Sequence, residues 1–208
     1  MSTFTRRHLV TLALAAFSAV PFTAHAVATL DQPAPDFTVQ GADGKPVSLS
    51  AYKGKTVVLE WTNHECPFVR KHYDNSGNIP KLQKEATAKG VVWLQVITSP
   101  PGSQGHVDGP QAIKLNQQRS AAPTAVALDP EGKVGKAYGA QTTPHMYVVS
   151  ADGKLVYKGG IDSIPSSNVG DISKADNYVR LALADVAAGR KVAQASTRPY
   201  GCSVKYAD

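Results

Sequence analysis

The sequence lacks the features that mark nucleic-acid-binding, membrane-spanning, repetitive or disulfide-rich proteins. Its net charge of +6 comes from basic residues interspersed with acidic ones, and without a Lys/Arg block we predict no nucleic-acid partner. After residue 26 no apolar run is long enough to span a bilayer, and no internal repeat is present. Only two of the 208 residues are cysteines, Cys66 and Cys202, which allows one disulfide in an oxidising compartment. The length suits one domain with a proper core.

The first 26 residues have the pattern of an export signal. Arg6 and Arg7 precede an apolar run, Leu9 to Val20, which leads to the small-residue cleavage signal Ala24-His25-Ala26. The paired arginines are similar to a twin-arginine signal, although a Sec-type signal can also carry them. Because the apolar run is short for a spanning helix, cleavage after Ala26 is favoured over a membrane anchor. Cleavage would leave 20 basic and 16 acidic residues. We therefore predict a periplasmic protein without stable membrane insertion, with secretion as the alternative.

The segment around Cys66 is the strongest candidate for a reactive site. It follows an apolar run at 56–59 that is typical of a buried parallel strand, and it leads into Pro67, which suits the first position of a helix. Cys66 would then lie at a strand-to-helix junction, near the positive end of the helix dipole and near the cations Arg70 and Lys71. Such surroundings favour the thiolate, which is the nucleophilic form of cysteine.

Apolar runs and turn signals predict a single α/β domain over residues 27–189. Strands are predicted at 37–39, 46–49, 56–59, 91–97, 124–128, 146–149 and 155–157. Helices are predicted over 67–90, with a break at 74–78, and over 110–119; a short helix reaches Tyr138, and the last helix runs from Ser173 to Gly189. Strands that alternate with helices predict a parallel sheet with helices on both faces, and the final hairpin adds antiparallel strands. Residues 190–208, which carry Cys202, have no periodicity and are predicted to form a flexible tail.

Five short motifs are informative together. They are Ala34-Pro35-Asp36-Phe37, Trp61-Thr62 with Cys66-Pro67, Gly139 to Pro144, Gly153 to Gly159 with Asp162, and Tyr200-Gly201-Cys202-Ser203. In this order they resemble motifs of the redoxin (AhpC/TSA-type) branch of the thioredoxin-like superfamily. The resemblance implies a three-layer α/β/α thioredoxin-like sandwich with a central mixed sheet. It also implies that Pro144 is cis, and that Thr143 offers backbone groups to an extended partner chain.

Two motifs of related proteins are incomplete in this chain. The Cys-x-x-Cys of thioredoxins ends here in Val69, and the Pro-x-x-x-Thr/Ser-x-x-Cys of peroxiredoxins has Leu59 and Asn63 at its Pro and Thr/Ser positions. Thr62 is one residue away and would contact a substrate only in a different loop geometry. The missing residues argue against a standard reductase and against an efficient peroxidase.

The resemblance implies a thiol-dependent oxidoreductase that reduces a peroxide or a protein disulfide through Cys66. Because position 69 carries no thiol, an oxidised Cys66 would need Cys202 as its resolving cysteine, and an external thiol reductant would restore both. A permanent Cys66–Cys202 disulfide and an unpaired Cys202 are the alternatives. We predict substrate contacts from four residues, Thr62, Arg70, Thr143 and Pro144, and no organic cofactor. For Arg70, a solvated helix face is the alternative.

A second class of function is a metal-binding or redox-inert module with the same fold. His64 and His72 flank Cys66, and thiolate and imidazole are ligands for copper and zinc. A second cysteine is missing from this set, so we predict no metal site there. His145 follows Pro144 and is predicted either to tune the Cys66 thiolate or to lie at the surface.

Overall fold

The computed structural model describes residues 27–207, and the predicted export signal lies outside them. The strands are β1 Thr38–Gly41, β2 Pro46–Ser48, β3 Val57–Trp61, β4 Val92–Ile97, β5 Ala125–Leu128, β6 Thr142–Thr143, β7 His145–Val149, β8 Leu155–Gly159 and β9 Cys202–Ser203. The helices are α1 Pro67–His72, α2 Asn78–Thr87, α3 Gly109–Gln118, α4 Lys133–Tyr138 and α5 Tyr178–Ala187, with 3-10 turns at Ser50–Tyr52 and Val169–Lys174. Among the described residues, no helix is long and apolar enough to cross a membrane.

A mixed seven-stranded sheet forms the centre of the domain, in the order β2-β1-β5-β4-β3-β7-β8. The three inner strands β3, β4 and β5 are parallel, whereas the β1–β2 and β7–β8 hairpins join them with antiparallel pairing. This arrangement confirms the predicted α/β sandwich with a mixed sheet. It also places the carboxyl end of β3, and with it the segment leading to Cys66, in the middle of the sheet.

Alternation along the strands produces a core on each face of the sheet. Successive strand side chains point to opposite faces, so Val57, Leu59 and Trp61 pack with α4 and the N-terminal segment. Val58 faces the other layer, where helices α1, α2 and α5 bury their apolar sides. Because both faces are covered, the inner strands are apolar nearly throughout, as their sequence indicates.

The last helix begins later than its sequence suggested. The sequence predicts a helix from Ser173, but Ser173 lies in the 3-10 turn and the chain is extended at Ala175. Asn177 is the actual N-cap, and its side-chain oxygen accepts a hydrogen bond from the Arg180 N–H at 2.9 Å. Residue 177 also pairs with Asp162 as an isolated bridge, so this position is held by a tertiary contact as well as by its cap hydrogen bond.

Residues 190–207 lie against the domain along much of their length. Ser196 forms a parallel bridge with Lys158 of β8, and the Thr197 hydroxyl lies 2.7 Å from the Tyr157 hydroxyl. Farther along, β9 pairs with β6, and Tyr206 donates a hydrogen bond to the Ala140 carbonyl at 2.6 Å. We call residues 195–206 the C-terminal strap. The strap brings Cys202 back to the centre of the domain.

Candidate active site

Cys66 lies at the junction that its sequence predicted. It is the N-cap of α1 with Pro67 in the first turn, and its N–H donates to the Asn63 carbonyl at 3.1 Å. Its carbonyl in turn accepts the Arg70 N–H at 2.9 Å, which starts the helical hydrogen bonds. The Cys66 side chain is fully buried. The turn therefore presents this sulfur to the interior of the site rather than to open solvent.

The segment before β7 lies directly against this sulfur. The Thr143–Pro144 peptide bond is cis, as the resemblance implied. The Thr143 carbonyl oxygen lies 3.1 Å from the Cys66 Sγ, and both Thr143 and Pro144 are buried. Two of the four predicted substrate contacts thus lie beside Cys66.

Cys202 reaches the same point from the other end of the chain. It forms a disulfide with Cys66 across a sequence separation of 136, with the two Cα atoms 5.9 Å apart. Cys202 is paired in register with Thr143, and Val204 donates to the Gln141 carbonyl at 3.0 Å. The strap therefore occupies the backbone edge that was predicted to receive an extended partner chain. The two predicted catalytic residues are brought together.

Gly201 permits this close approach. Its φ of 136° is one that residues with a side chain rarely adopt, and a Cβ atom there would overlap the Thr143 carbonyl oxygen. A glycine immediately before Cys202 is therefore a steric requirement of the strap pairing.

The other two predicted substrate residues lie outside the contact with the disulfide. Thr62 is 8% exposed, and its N–H donates to the Val96 carbonyl at 3.1 Å. The Arg70 guanidinium is largely exposed, with its Nε 3.5 Å from Asp74. Arg70 lines an open cleft of about 1370 Å³ beside the site, together with His64, Glu65, Asp74 and Arg119 among others.

Arg119 joins this cleft to the loop before Cys66. Its guanidinium donates to the His64 carbonyl at 3.1 Å and lies 2.7 Å from an Asp74 carboxylate oxygen. Glu65 accepts a hydrogen bond from the Gly105 N–H at 2.6 Å, which ties the same loop to the loop between β4 and α3. The loop that carries Cys66 is thereby held from two sides.

A buried carboxyl lies beneath the helices that follow Cys66. Glu60 accepts hydrogen bonds from Tyr73 at 2.6 Å, Trp93 at 2.7 Å and Gln83 at 3.2 Å. Burial raises the pKa of Glu60 to about 7, against the opposing effect of these hydrogen bonds. Burial, together with the neighbouring carboxyl, also raises the pKa of Tyr73. Glu60 is thus a proton-exchanging group near neutral pH inside the core.

A second polar cluster connects α1 to the strap. Lys71 Nζ and His72 Nε2 lie 3.5 and 3.6 Å from one oxygen of Asp162, and all three side chains are buried. The Tyr200 hydroxyl donates to the other Asp162 oxygen and lies 3.3 Å from His72 Nε2. We call Lys71, His72, Asp162 and Tyr200 the tyrosine latch. The sequence pattern identified none of these four as a set.

The histidines are dispersed rather than gathered around Cys66. Burial lowers the pKa of His72 to about 4 and that of His145 to about 3, so both rings are neutral near pH 7. His145 is buried rather than at the surface, and its Nδ1 accepts from the Gln141 N–H at 3.2 Å. Burial also lowers the pKa of His64. Within residues 27–207, no group of three or more His, Cys, Asp or Glu side chains is arranged to hold a metal ion.

One signal in the sequence pointed to the buried network. Glu60 and Gln95 are polar residues inside otherwise apolar strands, and they are in-register partners of the parallel pair β3–β4. Polar residues at matched positions of two buried strands must satisfy each other or a shared partner. Here Tyr73 is that partner, since its hydroxyl donates to Glu60 and accepts from Gln95 at 2.6 Å.

Comparison with known proteins places this chain in a family. The sequence model of the AhpC/TSA family matches residues 30–158, well over half of the chain. No curated protein matches the chain significantly. Among solved structures, an uncharacterised conserved protein from Geobacillus kaustophilus is similar, with 25% identity, a TM-score of 0.71, and coverage of 86% of this chain and 93% of that one.

Two further structures support the fold. A hypothetical protein from Sinorhizobium meliloti 1021 has 20% identity and a TM-score of 0.72, over 88% of this chain and 97% of that one. The thioredoxin domain of a thiol-disulfide oxidoreductase from Bacteroides vulgatus has 21% identity and a TM-score of 0.50, over 70% and 96%. The fold is therefore thioredoxin-like, as the sequence motifs implied.

Proposed function

Because the chain belongs to the AhpC/TSA family, we propose that it is a thiol-dependent oxidoreductase whose redox-active pair is Cys66 and Cys202. The observation that carries the proposal is the pairing of the two cysteines beside Thr143: Cys66 Sγ lies 3.1 Å from the Thr143 carbonyl oxygen at the start of a helix, and Cys202 is paired in register with Thr143. A thiolate at such a junction is stabilised by the helix dipole.

We propose a protein disulfide as the substrate, in preference to a peroxide. The backbone edge at Thr143 pairs with an extended segment, which in the oxidised protein is the strap itself. An extended segment of a partner protein would use the same edge once the strap is released. The proline and hydroxyl that would cradle a peroxide are replaced by Leu59 and Asn63.

The proposed reaction is thiol–disulfide exchange, in which Cys66 and Cys202 act in turn because their sulfurs can approach each other. In the reduced protein the Cys66 thiolate attacks one sulfur of the substrate disulfide, forming a mixed disulfide and expelling one substrate thiolate. The Cys202 thiolate then attacks Cys66 Sγ, forming the intramolecular disulfide and expelling the second substrate thiolate. The substrate gains two electrons, and the Cys66–Cys202 pair loses them. An external thiol reductant returns the pair to its reduced form.

Further roles are proposed for the residues around the pair. Thr143 and Pro144 would form the edge that binds the substrate backbone, and Thr62 would shape the turn facing it. Arg70 would contact acidic groups of the partner protein from the open cleft. The arginine pair and apolar run of the first 26 residues support export, and a disulfide of this kind persists in the oxidising periplasm.

Insulin reduction and peroxide consumption, measured with dithiothreitol as reductant, test the proposal. We expect insulin disulfides to be reduced by the wild type and not by Cys66→Ser. Cys202→Ser, reduced beforehand and freed of dithiothreitol, should accumulate a mixed disulfide with insulin, because it has no second thiol to resolve it. Ser203→Ala is the matched control and should behave as the wild type. If only hydrogen peroxide is consumed, the substrate assignment is wrong. If neither substrate reacts, the protein is a redox-inert module.

A further inference from the structure

We propose that Tyr200, held by Asp162, is a positioning residue that fixes Cys202 opposite Cys66 and thereby sets the rate of internal disulfide formation. The proposal rests on the proposed function. It assigns to the tyrosine latch a role in the second chemical step, attack of Cys202 on a Cys66 mixed disulfide.

Tyr200 ties the strap to the same helix that carries the nucleophile. It lies two residues before Cys202, and its ring contacts Phe68 edge-on with the centroids 5.8 Å apart. Phe68 lies two residues after Cys66, in the first turn of α1. The ring of Tyr200 therefore packs on the same short helix whose N-cap is the nucleophile.

The hydroxyl of Tyr200 is held in a defined orientation. The Asn78 side-chain amide lies 2.9 Å from His72 Nδ1 and can only donate there, so the neutral imidazole carries its proton on Nε2. That Nε2–H points to the Tyr200 oxygen, which leaves the phenolic proton for Asp162. The phenol thus both accepts and donates, and a hydrogen bond to a carboxylate is stronger than one between neutral groups.

Asp162 is itself held in place by charge. Its Oδ1 also accepts the Ile164 N–H at 3.1 Å. Its buried Oδ2 has no hydrogen-bond partner among residues 27–207 and faces Lys71 Nζ at 3.5 Å. Buried ion pairs add little net stability compared with apolar packing, because desolvation of both charges opposes their attraction. General stability is therefore a weak reason for this cluster. Orientation of the strap tyrosine is a better one.

A second anchor constrains the strap on the far side of Tyr200. The Gly201–Cys202 segment lies on the Thr143 backbone, where only glycine fits at position 201. Once the substrate segment has left the Thr143 edge and the strap has returned to it, both anchors are in place, and Cys202 Sγ has few positions available besides the one next to Cys66. Restricting a thiol in this way raises its effective concentration at the target without any new contact to the reacting sulfur.

Reaction of the fully reduced protein with one equivalent of the aromatic disulfide DTNB separates the two steps. Attack of Cys66 releases the first thionitrobenzoate in a bimolecular phase. Attack of Cys202 on the mixed disulfide releases the second in a first-order phase that is independent of DTNB concentration. The two released thionitrobenzoate anions account for the two electrons that the Cys66–Cys202 pair loses, and stopped-flow absorbance records each phase.

We expect Tyr200→Phe to slow the first-order phase by about tenfold, because it removes one hydrogen bond to a charged group. Tyr200→Ala, which also removes the ring contact with Phe68, should slow it further. The bimolecular phase should stay within about twofold of the wild type in both variants. Tyr178→Phe, which removes a phenolic hydroxyl outside the latch, should leave both phases unchanged. If Tyr200 served stability alone, its replacement would lower the unfolding midpoint but would not slow the first-order phase selectively relative to the bimolecular phase.

Amide hydrogen exchange of Cys202→Ser provides a second measurement that needs no thiol chemistry. With the latch intact, the Val204 N–H, which donates to Gln141, should stay protected, and adding Tyr200→Phe should remove much of that protection. The latch proposal is overturned if the first-order phase of Tyr200→Phe and Tyr200→Ala matches that of a biphasic wild type. If the wild type itself releases no second thionitrobenzoate, the proposed function and the latch fail together.

Discussion

Replacing Glu60 by glutamine should change how the stability of the protein depends on pH. The pKa of Glu60 rises from an ordinary value of 4.5 to about 7 because the carboxyl is fully buried. The folded state therefore binds this proton more tightly than the unfolded chain does. The resulting stabilisation is fully present below pH 4.5 and is lost as the pH rises through about 7.

The expected magnitude follows from the size of this rise. Each tenfold change in proton affinity corresponds to about 1.4 kcal/mol, so a rise from 4.5 to about 7 corresponds to about 3 kcal/mol. The free energy of unfolding of the wild type, relative to Glu60→Gln, should fall by about that amount between pH 4.5 and pH 8. The glutamine has the shape of the protonated carboxyl, so its own cost in the Tyr73–Trp93 network is similar at every pH and cancels in the comparison.

Urea unfolding of the oxidised proteins at pH 4.5, 6 and 8 measures this difference. Glu131→Gln is the matched control. Its carboxyl is exposed, and the hydrogen bond from Lys133 lowers its pKa, so its small contribution is present at high pH and lost as the pH falls. The reasoning is refuted if the difference between wild type and Glu60→Gln stays constant over this range, or if it grows with pH.

Three further predictions concern the strap and the buried histidine. Reducing the Cys66–Cys202 disulfide should lower the free energy of unfolding by up to about 5 kcal/mol, because it closes a loop of 136 residues; an unchanged urea midpoint with dithiothreitol would contradict this. Gly201→Ala should lower the thermal midpoint, corresponding to about 1–3 kcal/mol, since its Cβ meets backbone, whereas Gly170→Ala has space and should not. Burial lowers the pKa of His72 from 6.5 to about 4, so its contribution to stability is present above pH 6.5 and is lost as the pH falls through 4. Urea unfolding of His72→Gln should therefore show an acid-dependent loss of stability that is smaller than that of the wild type by about 3 kcal/mol. An unchanged pH dependence would contradict the assignment.

Local sequence patterns were sufficient to predict the architecture and the part of the site formed by Cys66 and Pro144. Apolar runs at 56–59 and 91–97, with Pro67 just beyond Cys66, predicted the central strands and the junction where the sulfur lies. The motif ending in Pro144 predicted the cis peptide bond. These features depend on residues close in sequence, whose backbone preferences and hydrophobic period act before any long-range contact forms.

Tertiary packing decided what surrounds Cys66. The strap has no hydrophobic period, so nothing in its sequence reveals that it runs along β8 and pairs with Thr143. The latch joins Lys71 and His72 to Asp162 and Tyr200, and its contact between His72 and Tyr200 spans 128 residues of sequence. Helix α5 begins after Asn177, which pairs with Asp162, and not at the predicted Ser173.

The sequence by itself determined a thioredoxin-like domain with a cysteine at the end of its central strand, because hydrophobic period and turn residues specify elements and their order. Only the tertiary structure determined which groups meet that cysteine. Burial sets the proton affinity of Glu60 and His72, and chain folding brings Cys202 to Cys66. Both depend on contacts between residues far apart in the chain. The desolvation of a carboxyl and the proximity of two thiols arise only in the folded protein.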